Sequence, residues 1–246
     1  MKRINKKISD AKILIAGAGG LGSPAAIILA NAGVRYIGIA DYDHVELSNL
    51  QRQILHTTTR VGKLKTESSR ETLKNIFPDL HVELHSERLS AKNILKIIDG
   101  YDLVIDGVDN FSTRYLLNDA CYFAKIPMIE GGVGQFEGQV TVFFPDESPC
   151  LRCIFPEPPP EGIVPTCHEA GVLGPVAGAV GSFQAWEAIK FFTEDGVSLI
   201  GKLWIFDALP LEIRIIRWPR NENCALCGSN PTIITLESMK YSCDVF

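Results

Sequence analysis

The chain has 246 residues, with 24 basic and 29 acidic side chains and a formal net charge of −5. This length suffices for one α/β domain, and a hydrophobic fraction of 46% excludes a largely disordered chain. The acidic balance argues against general binding of nucleic acid or of anionic membranes. The longest apolar runs are short and contain glycines, so no segment is predicted to span a bilayer. The basic start lacks the apolar core of a signal peptide, and we expect a cytoplasmic protein.

Short apolar runs alternate with helical patterns through the first half of the chain. We predict strands at residues 12–16, 36–40, 81–85, 103–105 and 127–130. We predict helices at residues 22–32, 63–75 and 111–124. Strands that alternate with helices are typical of a doubly wound, mostly parallel sheet. The expected fold class is therefore α/β, with a Rossmann-like sheet.

The pattern changes in the last third of the chain. Strand-like segments at 139–144, 203–206 and 212–218 predict an antiparallel C-terminal extension. The proline-rich segment 156–165 can form neither a helix nor a central strand. A long apolar helix is predicted at 173–192. Because charged residues interrupt it, we interpret it as buried or as part of a dimer interface rather than as lipid-facing.

A glycine-rich turn is the first motif that indicates a ligand. Gly17, Gly19 and Gly22 form a G-x-G-x-x-G pattern, with Gly20 inside it, between a predicted strand and a predicted helix. Glycines there let a phosphate approach the backbone, and the helix N-terminus supplies donors. Asp41 ends the next strand, where an acid accepts ribose hydroxyls. The motif predicts an adenine nucleotide without distinguishing NAD from ATP. A glycine-rich turn with no ligand is the alternative.

The polar loop at residues 48–53 favours ATP over NAD. It begins with Ser48 and Asn49 and contains Arg52, and Lys65 follows it. A triphosphate needs more cationic neutralisation than the pyrophosphate of NAD. Arg52 could supply a bidentate fork and Lys65 a point charge. The alternative is a solvated polar loop, since charged side chains are usually surface features.

Oxygen-bearing side chains follow the predicted strand at 103–105. Asp106, Asp109 and Asn110 lie at its carboxyl end, where ligands bind in open α/β sheets. Hard oxygen ligands at this place would suit Mg²⁺ that bridges phosphates. A helix cap is the other interpretation, because Asp109 or Asn110 precedes the next predicted helix. Both interpretations can hold together.

Four of the seven cysteines form two C-x-x-C pairs. Cys150 and Cys153 follow a predicted strand, and Cys224 and Cys227 lie near the C-terminus. Two such pairs predict a closed tetrahedral site of four cysteines, which is typical of structural zinc. Four scattered thiols are the alternative. The Zn²⁺ ion would pin the end of the chain to the sheet.

Cys167 stands apart from these pairs. It follows the proline-rich segment and precedes the long predicted helix, and a thiol at a helix N-terminus tends to be acidic and nucleophilic. The adjacent His168 could assist, although neighbours in sequence need not face each other. A lone cysteine is more often inert, so the residues alone leave a catalytic thiol and an inert thiol both open.

Together, these motifs resemble those of the MoeB/ThiF family of adenylyltransferases, also called HesA/MoeB/ThiF, which are relatives of the ubiquitin-activating enzymes. The resemblance runs from residue 17 to residue 228. The matching segments are GAGGLGS, SNLQRQ, GKLK, DNFSTR, EGQVTVF, PCLRC, CHEAGVLGPVAGAVGS and CALCG. Their order and number make the match specific.

The resemblance implies a reaction and its cofactors. Members of the family bind ATP with Mg²⁺ and the C-terminal Gly-Gly of a ubiquitin-like sulfur carrier. They join the two into an acyl-adenylate and release pyrophosphate. The positions that match the family's nucleotide and phosphate contacts are Gly20, Asp41, Asn49, Arg52 and Lys65.

The resemblance also assigns the remaining motifs. Asp109, beside Asn110, is similar to the Mg²⁺ residue, and the four paired cysteines are similar to the family's zinc site. Cys167 lies where some members keep a cysteine that forms a covalent link during sulfur transfer. The family fold dimerises and holds the carrier along a partly antiparallel face. We therefore expect one domain over 1–246, with nucleotide binding at about 11–133 and carrier and zinc binding at about 134–246.

The chain departs from the family pattern at its start. Members usually carry an N-terminal helix whose arginine reaches the partner subunit's ATP site, whereas 11 residues precede the first predicted strand here. We expect one of three explanations: the start of the chain is truncated, another residue substitutes for this arginine, or adenylation is weakened. We also expect no rhodanese-like domain, and we therefore expect the sulfur to come from a separate protein, a cysteine desulfurase or a rhodanese-type enzyme.

The leading expectation is adenylation of a sulfur carrier for thiamine or molybdopterin-type cofactor biosynthesis. An NAD-dependent oxidoreductase is one alternative, against which the cationic loop and the cysteine pairs argue. A family member that activates another carboxylate, such as a peptide terminus or a tRNA-linked threonylcarbamoyl group, is a second. The third is a non-catalytic module that binds a carrier or a nucleotide without turnover.

Overall fold

The computed structural model describes residues 7–160, 163, 171–193, 196, 199–238 and 241. Cys167 and its neighbour His168 lie outside the described residues. The strands are β1 Lys12–Ala16, β2 Tyr36–Ala40, β3 His81–His85, β4 Leu103–Asp106, β5 Met128–Val133, β6 Glu137–Phe143, β7 Lys202–Asp207 and β8 Glu212–Arg217. The helices are α1 Gly22–Asn31, α2 Lys65–Ile76, α3 Ile94–Ile98, α4 Phe111–Ala124, α5 Leu151–Ile154 and α6 Gly174–Phe192.

All eight of these strands form one sheet, in the order β3-β2-β1-β4-β5-β6-β7-β8. The first five strands run parallel, and β6, β7 and β8 are each antiparallel to the strand before them. The predicted α/β class is confirmed, with a mostly parallel sheet and an antiparallel C-terminal extension. Predicted and observed strands coincide for β1, β2 and β3, whereas the ends of the others differ by one to three residues. Helix α3 was not predicted, because five residues are too few to show a helical period.

The middle of the sheet is buried on both faces, as β1 shows. Ile13 and Ile15 face one side, where they join the core formed by α1, α2 and α6. Leu14, which lies between them, faces the other side and joins the core formed by α3 and α4. Successive side chains of a strand point to opposite faces, so an uninterrupted apolar run is the pattern that such a two-sided burial requires.

Helix α6 packs closely on the N-terminal end of α1. A Cβ on Gly181 would lie 2.2 Å from the carbonyl oxygen of Leu21 and 2.7 Å from Cγ of Pro24. Glycine at this position therefore sets the distance between the two helices. Val180 is buried, whereas Trp186 is 51% exposed, so the predicted buried helix has one buried face and one exposed face. Within the described ranges, no helix is long and apolar enough to cross a membrane.

We predict opposite effects for two glycine substitutions in α6. Gly181→Ala should lower the free energy of unfolding by roughly 2 kcal/mol, because the new methyl group overlaps backbone atoms of Leu21. Gly178→Ala is the matched control, since no atom of the described residues outside the neighbouring turns of α6 lies within 4 Å of its added Cβ. It should leave stability unchanged or raise it by up to about 1 kcal/mol through helix propensity. Urea denaturation of both variants measures this, and equal effects would contradict the proposed packing.

Candidate nucleotide pocket and cysteine cluster

A pocket of about 260 Å³ opens at the carboxyl ends of β1, β2 and β4. The predicted site residues that line it are Gly17, Gly19, Gly20, Asp41, Arg52, Lys65, Asp109 and Asn110. Of the residues predicted to bind the nucleotide, three lie outside the lining, and Asp106, which was predicted as an oxygen ligand for Mg²⁺, is fully buried and does not line the pocket either. Gly22 begins α1 behind the turn, Ser48 is exposed and donates to Glu46, and Asn49 is buried and donates to Ser48.

The glycines of the turn serve two different physical purposes. Gly17 has a φ of 98°, and a Cβ on it would lie 2.5 Å from the carbonyl oxygen of Gly107. A Cβ on Gly22 would lie 1.9 Å from the carbonyl oxygen of Gly17. These two positions therefore require glycine for packing. Gly19 and Gly20 line the pocket beside Gly17, and their missing side chains leave room for a ligand to approach the backbone.

Asp41 holds the glycine-rich turn in place. Its Oδ2 accepts a hydrogen bond from the backbone N–H of Ala18 at 2.8 Å, and its Oδ1 accepts one from that of Asp43 at 2.9 Å. Burial raises the pKa of Asp41, although Lys65 and the two N–H donors oppose the rise. Because each carboxylate oxygen can accept more than one hydrogen bond, Asp41 retains acceptor capacity toward the pocket that it lines.

Lys65 brings a buried cation to the pocket. It is the first residue of α2, its side chain is 8% exposed, and its Nζ lies 2.8 Å from Oδ2 of Asp43. Burial lowers the pKa of Lys65, but the carboxylates of Asp41, Asp43 and Asp109 outweigh that effect, and the net pKa is raised. Lys65 therefore stays protonated at neutral pH.

Arg52 supplies a second positive charge to the same pocket. The Cγ and Cδ atoms of its side chain lie 3.4 and 3.5 Å from the place where a Cβ on Gly20 would be. Arg52 forms no ion pair with any residue in the part of the chain that the structure describes. Its guanidinium group is therefore available to an anion that enters the pocket over the glycine-rich turn.

The segment after β4 contains the predicted helix cap, and it brings a predicted oxygen ligand for Mg²⁺ to the pocket. Asn110 is the N-cap of α4, since its side-chain oxygen accepts a hydrogen bond from the backbone N–H of Thr113 at 2.8 Å. Asp109 precedes the cap and lines the pocket. Its carboxylate therefore stands at the strand end on the same pocket as Arg52 and Lys65, where Mg²⁺ bound to phosphates would need an oxygen ligand.

Arg114 and Glu130, to which no motif assigned a role, meet the buried Asp106, and Arg114 also lines the pocket. Nε of Arg114 lies 3.1 Å from Oδ2 of Asp106 and 3.3 Å from Oε1 of Glu130. Arg114 also donates to the carbonyl oxygen of Val108 at 3.0 Å, which holds the loop that leads to Asp109. Burial raises the pKa of both acids, and that of Glu130 reaches about 7. Only the position of Arg114 could have suggested it as a site residue, because it lies in the first turn of α4, close to the strand ends.

The four paired cysteines converge, although 70 residues separate the two pairs in sequence. All four sulfur atoms lie within 4.8 Å of one another. Sγ of Cys150 is 3.6 Å from that of Cys224, and Sγ of Cys153 is 3.3 Å from that of Cys227. A tetrahedral ion with bonds of about 2.3 Å to sulfur needs sulfur atoms about 3.8 Å apart. The cluster therefore fits a thiophilic metal ion.

Comparison with known proteins places the chain in a family. A model described as "ThiF family" matches residues 2–226, and the chain therefore belongs to the ThiF family. A relative named "Sulfur carrier protein adenylyltransferase" from Thermus thermophilus is 43% identical over 232 residues, which cover 92% of this chain and 86% of the relative. "Adenylyltransferase and sulfurtransferase MOCS3" from Culex quinquefasciatus is 42% identical over 97% of this chain and 55% of its own length. The chain thus spans about half the length of that relative. The resemblance inferred from the motifs is confirmed.

Solved structures share the fold. The microcin C7 biosynthetic enzyme MccB in complex with N-formylated MccA superposes with a TM-score of 0.82 at 23% identity, over 90% of this chain and 68% of that one. Escherichia coli MccB with ATP gives a TM-score of 0.79 at 22% identity, over 89% of this chain and 68% of that one. At these identities, the likeness establishes the architecture alone.

We predict that Glu130 makes stability depend on pH. Its folded-state pKa of about 7 lies above the ordinary value of 4.5, so the folded protein keeps a proton that the unfolded chain has released. The resulting stabilisation is complete below pH 4.5 and is lost as the pH rises through about 7. Glu130→Gln mimics the protonated acid and should abolish this loss.

Urea denaturation at pH 5 and pH 8 tests the prediction. The wild type should lose up to about 3 kcal/mol relative to Glu130→Gln between these values, since one pKa unit corresponds to about 1.4 kcal/mol. Parallel pH profiles of the two proteins would show that Glu130 is ionised at an ordinary pKa.

Proposed function

We propose that this chain is an adenylyltransferase that activates the C-terminal Gly-Gly carboxylate of a ubiquitin-like sulfur-carrier protein. The observation that carries the proposal is the meeting of Arg52, Lys65 and Asp109 over one glycine-rich turn. The names of the ThiF relatives support the same reaction. The pathway would be thiamine or molybdopterin-type cofactor biosynthesis.

ATP fits the chemistry of the pocket better than NAD. Two cations face a glycine-rich helix N-terminus there, and a triphosphate has the charge to use both. Asp109, with Asn110 beside it, would hold Mg²⁺, which would neutralise part of the phosphate charge. Asp41 would accept hydrogen bonds from the ribose. Three residues outside the lining would act indirectly. The loop that carries Arg52 would be shaped by Ser48 and Asn49, and the glycine-rich turn by Gly22.

The proposed reaction needs positioning and charge screening more than proton transfer. An oxygen of the carrier carboxylate attacks the α-phosphorus of ATP, a new O–P bond forms, and the bond to pyrophosphate breaks. A C-terminal carboxylate is already ionised at neutral pH, so no general base is required. The difficulty is that one anion approaches another. Arg52 and Lys65 would reduce this repulsion and hold the attack in line.

The antiparallel end of the sheet offers a surface for the carrier. Strand β8 pairs only with β7 among the described strands, and Ile213 and Ile215 are each 59% exposed on it. Leu209 and Leu211, in the turn before β8, are exposed further. An exposed apolar patch of this kind is typical of a protein-binding surface. Since β5 joins this end of the sheet to the pocket through Val133, a carrier docked here could extend its C-terminus to the nucleotide.

Several features of the assembly are also proposed. We infer a cytoplasmic homodimer built from one domain per chain over residues 1–246, and the exposed Leu47 and Ile54 in the loop that carries Arg52 support contact with a second copy.

Cys167 would form the covalent link in sulfur transfer. The sulfur would come from a separate donor, either a cysteine desulfurase or a rhodanese-type protein.

The cysteine cluster would bind structural zinc. Its four thiolates leave no open position for a substrate, and they connect the region after β6 with the C-terminal segment.

We predict about one Zn²⁺ per chain by elemental analysis. Removal by a chelator should lower the thermal unfolding midpoint, because metal binding stabilises only the folded arrangement. A folded, metal-free protein of unchanged stability would contradict the zinc assignment.

We predict that Arg52→Ala slows the adenylation step by at least about a hundredfold, since it removes a charge from the phosphate site. Carrier-dependent ATP–pyrophosphate exchange with Mg²⁺ measures this, with a panel of small carriers that end in Gly-Gly. Arg70→Ala is the matched control, because Arg70 is exposed on α2 and does not line the pocket. It should leave exchange unchanged.

Each negative result has a defined meaning. Exchange by Arg52→Ala at the wild-type rate would remove its assigned role. If the protein binds ATP but none of the carriers in the panel supports ATP–pyrophosphate exchange, the result would favour another carboxylate substrate or a non-catalytic binding module over the proposed reaction.

A further inference from the structure

Gln53 is a pocket residue to which neither the motifs nor the proposed reaction gives a task. It is 4% exposed, and it lines the pocket next to Arg52. Its Nε2 atom lies 3.7 Å from the place where a Cβ on Gly19 would be. The side-chain amide of Gln53 therefore lies directly over the glycine-rich turn.

The side-chain amide of Gln53 has no hydrogen-bond partner in the part of the chain that the structure describes. Within the described ranges, Nε2 of Gln53 donates no hydrogen bond to the protein, and its buried Oε1 accepts none. Buried polar atoms are nearly always paired, and each exception in a native fold requires an explanation. A methionine would fill similar space without the desolvation cost of an amide. Packing alone therefore does not account for glutamine at this position.

Two other glutamines show what a structural amide looks like in this fold. Gln184 also has an Oε1 without a partner in the described residues, but its Nε2 donates to the carbonyl oxygens of Asp106 and Ile129 and ties α6 to β4 and β5. Gln51, in the same loop as Gln53, donates to the carbonyl oxygen of Val172 at 3.1 Å. Gln53 makes no comparable bond to the described part of the chain.

We propose that Gln53 is a further nucleotide-binding residue, whose Nε2 donates a hydrogen bond to a phosphate oxygen of the bound nucleotide. This inference rests on the proposed function, in which the pocket holds ATP. Phosphate oxygens only accept hydrogen bonds and an amide nitrogen only donates them. Nε2 is also the end of the amide that lies next to Gly19, at the helix N-terminus where phosphates bind. Gln53 thus adds a neutral donor beside Arg52 and Lys65.

Two variants and two ligands test the assignment. Gln53→Met removes the hydrogen-bonding groups and keeps the size, and Gln53→Glu replaces the donor with a negative charge. Isothermal titration calorimetry with Mg²⁺ gives the Kd of ATP and of adenosine for each protein. We expect Gln53→Met to weaken ATP about tenfold and to leave adenosine unchanged, because only ATP has phosphates. Gln53→Glu should weaken ATP further, since its carboxylate repels them.

Thermal unfolding of the nucleotide-free proteins separates a ligand contact from a structural role. The midpoint for Gln53→Met should equal or exceed that of the wild type, because a buried unpaired acceptor has been removed. A lower midpoint with unchanged ATP affinity would overturn the proposal and make Gln53 a packing residue. Equal losses for ATP and adenosine would overturn the phosphate contact.

Failure of the proposed function gives a different result. A wild-type protein that binds no ATP would remove the function and the Gln53 contact together. A wild-type protein that binds ATP, with weaker binding by Gln53→Met, would support the contact even if no carrier were adenylated.

Discussion

Two close backbone approaches, one between the loops that follow β1 and β4 and one within the loop after β1, fix the glycine-rich turn that lines the pocket. A Cβ on Gly17 would lie 2.5 Å from the carbonyl oxygen of Gly107, and a Cβ on Gly22 would lie 1.9 Å from that of Gly17. Only glycine permits both approaches. Strand order changes direction at this point, between β1 and β4, where open α/β sheets leave a crevice for ligands. The turn is thus fixed by packing before it is available to a phosphate.

The charges around this crevice are arranged so that an anion finds cations to bind. Asp41 is engaged by two backbone N–H groups, and Asp106 and Glu130 share the guanidinium of Arg114. Lys65 is paired with Asp43, whose side chain is 45% exposed, so water can solvate this carboxylate when a phosphate takes its place. Arg52 needs no such exchange. A polyanion therefore replaces one solvated contact and meets a cation that has no ion pair among the described residues, which keeps the electrostatic cost of binding low.

Local patterns predicted much of this structure because the causes are local. The strands β1 and β2 follow from apolar runs and β3 from an alternating pattern, and Asn110 caps α4 as its position before Phe111 indicated. The C-x-x-C spacing predicted a cysteine cluster, and the four sulfur atoms do converge. Arg114 and Glu130 could not be paired from sequence, because their contact depends on how α4 is oriented against β5. The unpaired amide of Gln53 was equally invisible, since the sequence does not show which polar atoms fail to find partners.

The central claim is that a carrier carboxylate attacks the α-phosphorus of ATP. Labelling both oxygens of the carrier's terminal carboxylate with ¹⁸O tests it most directly. After reaction with ATP and capture of the activated carrier by hydroxylamine, mass spectrometry locates the label. The mechanism predicts one ¹⁸O in AMP, because the bridging oxygen of an acyl-adenylate leaves with the nucleotide. Label in inorganic phosphate together with ADP, or unlabelled AMP, would contradict it.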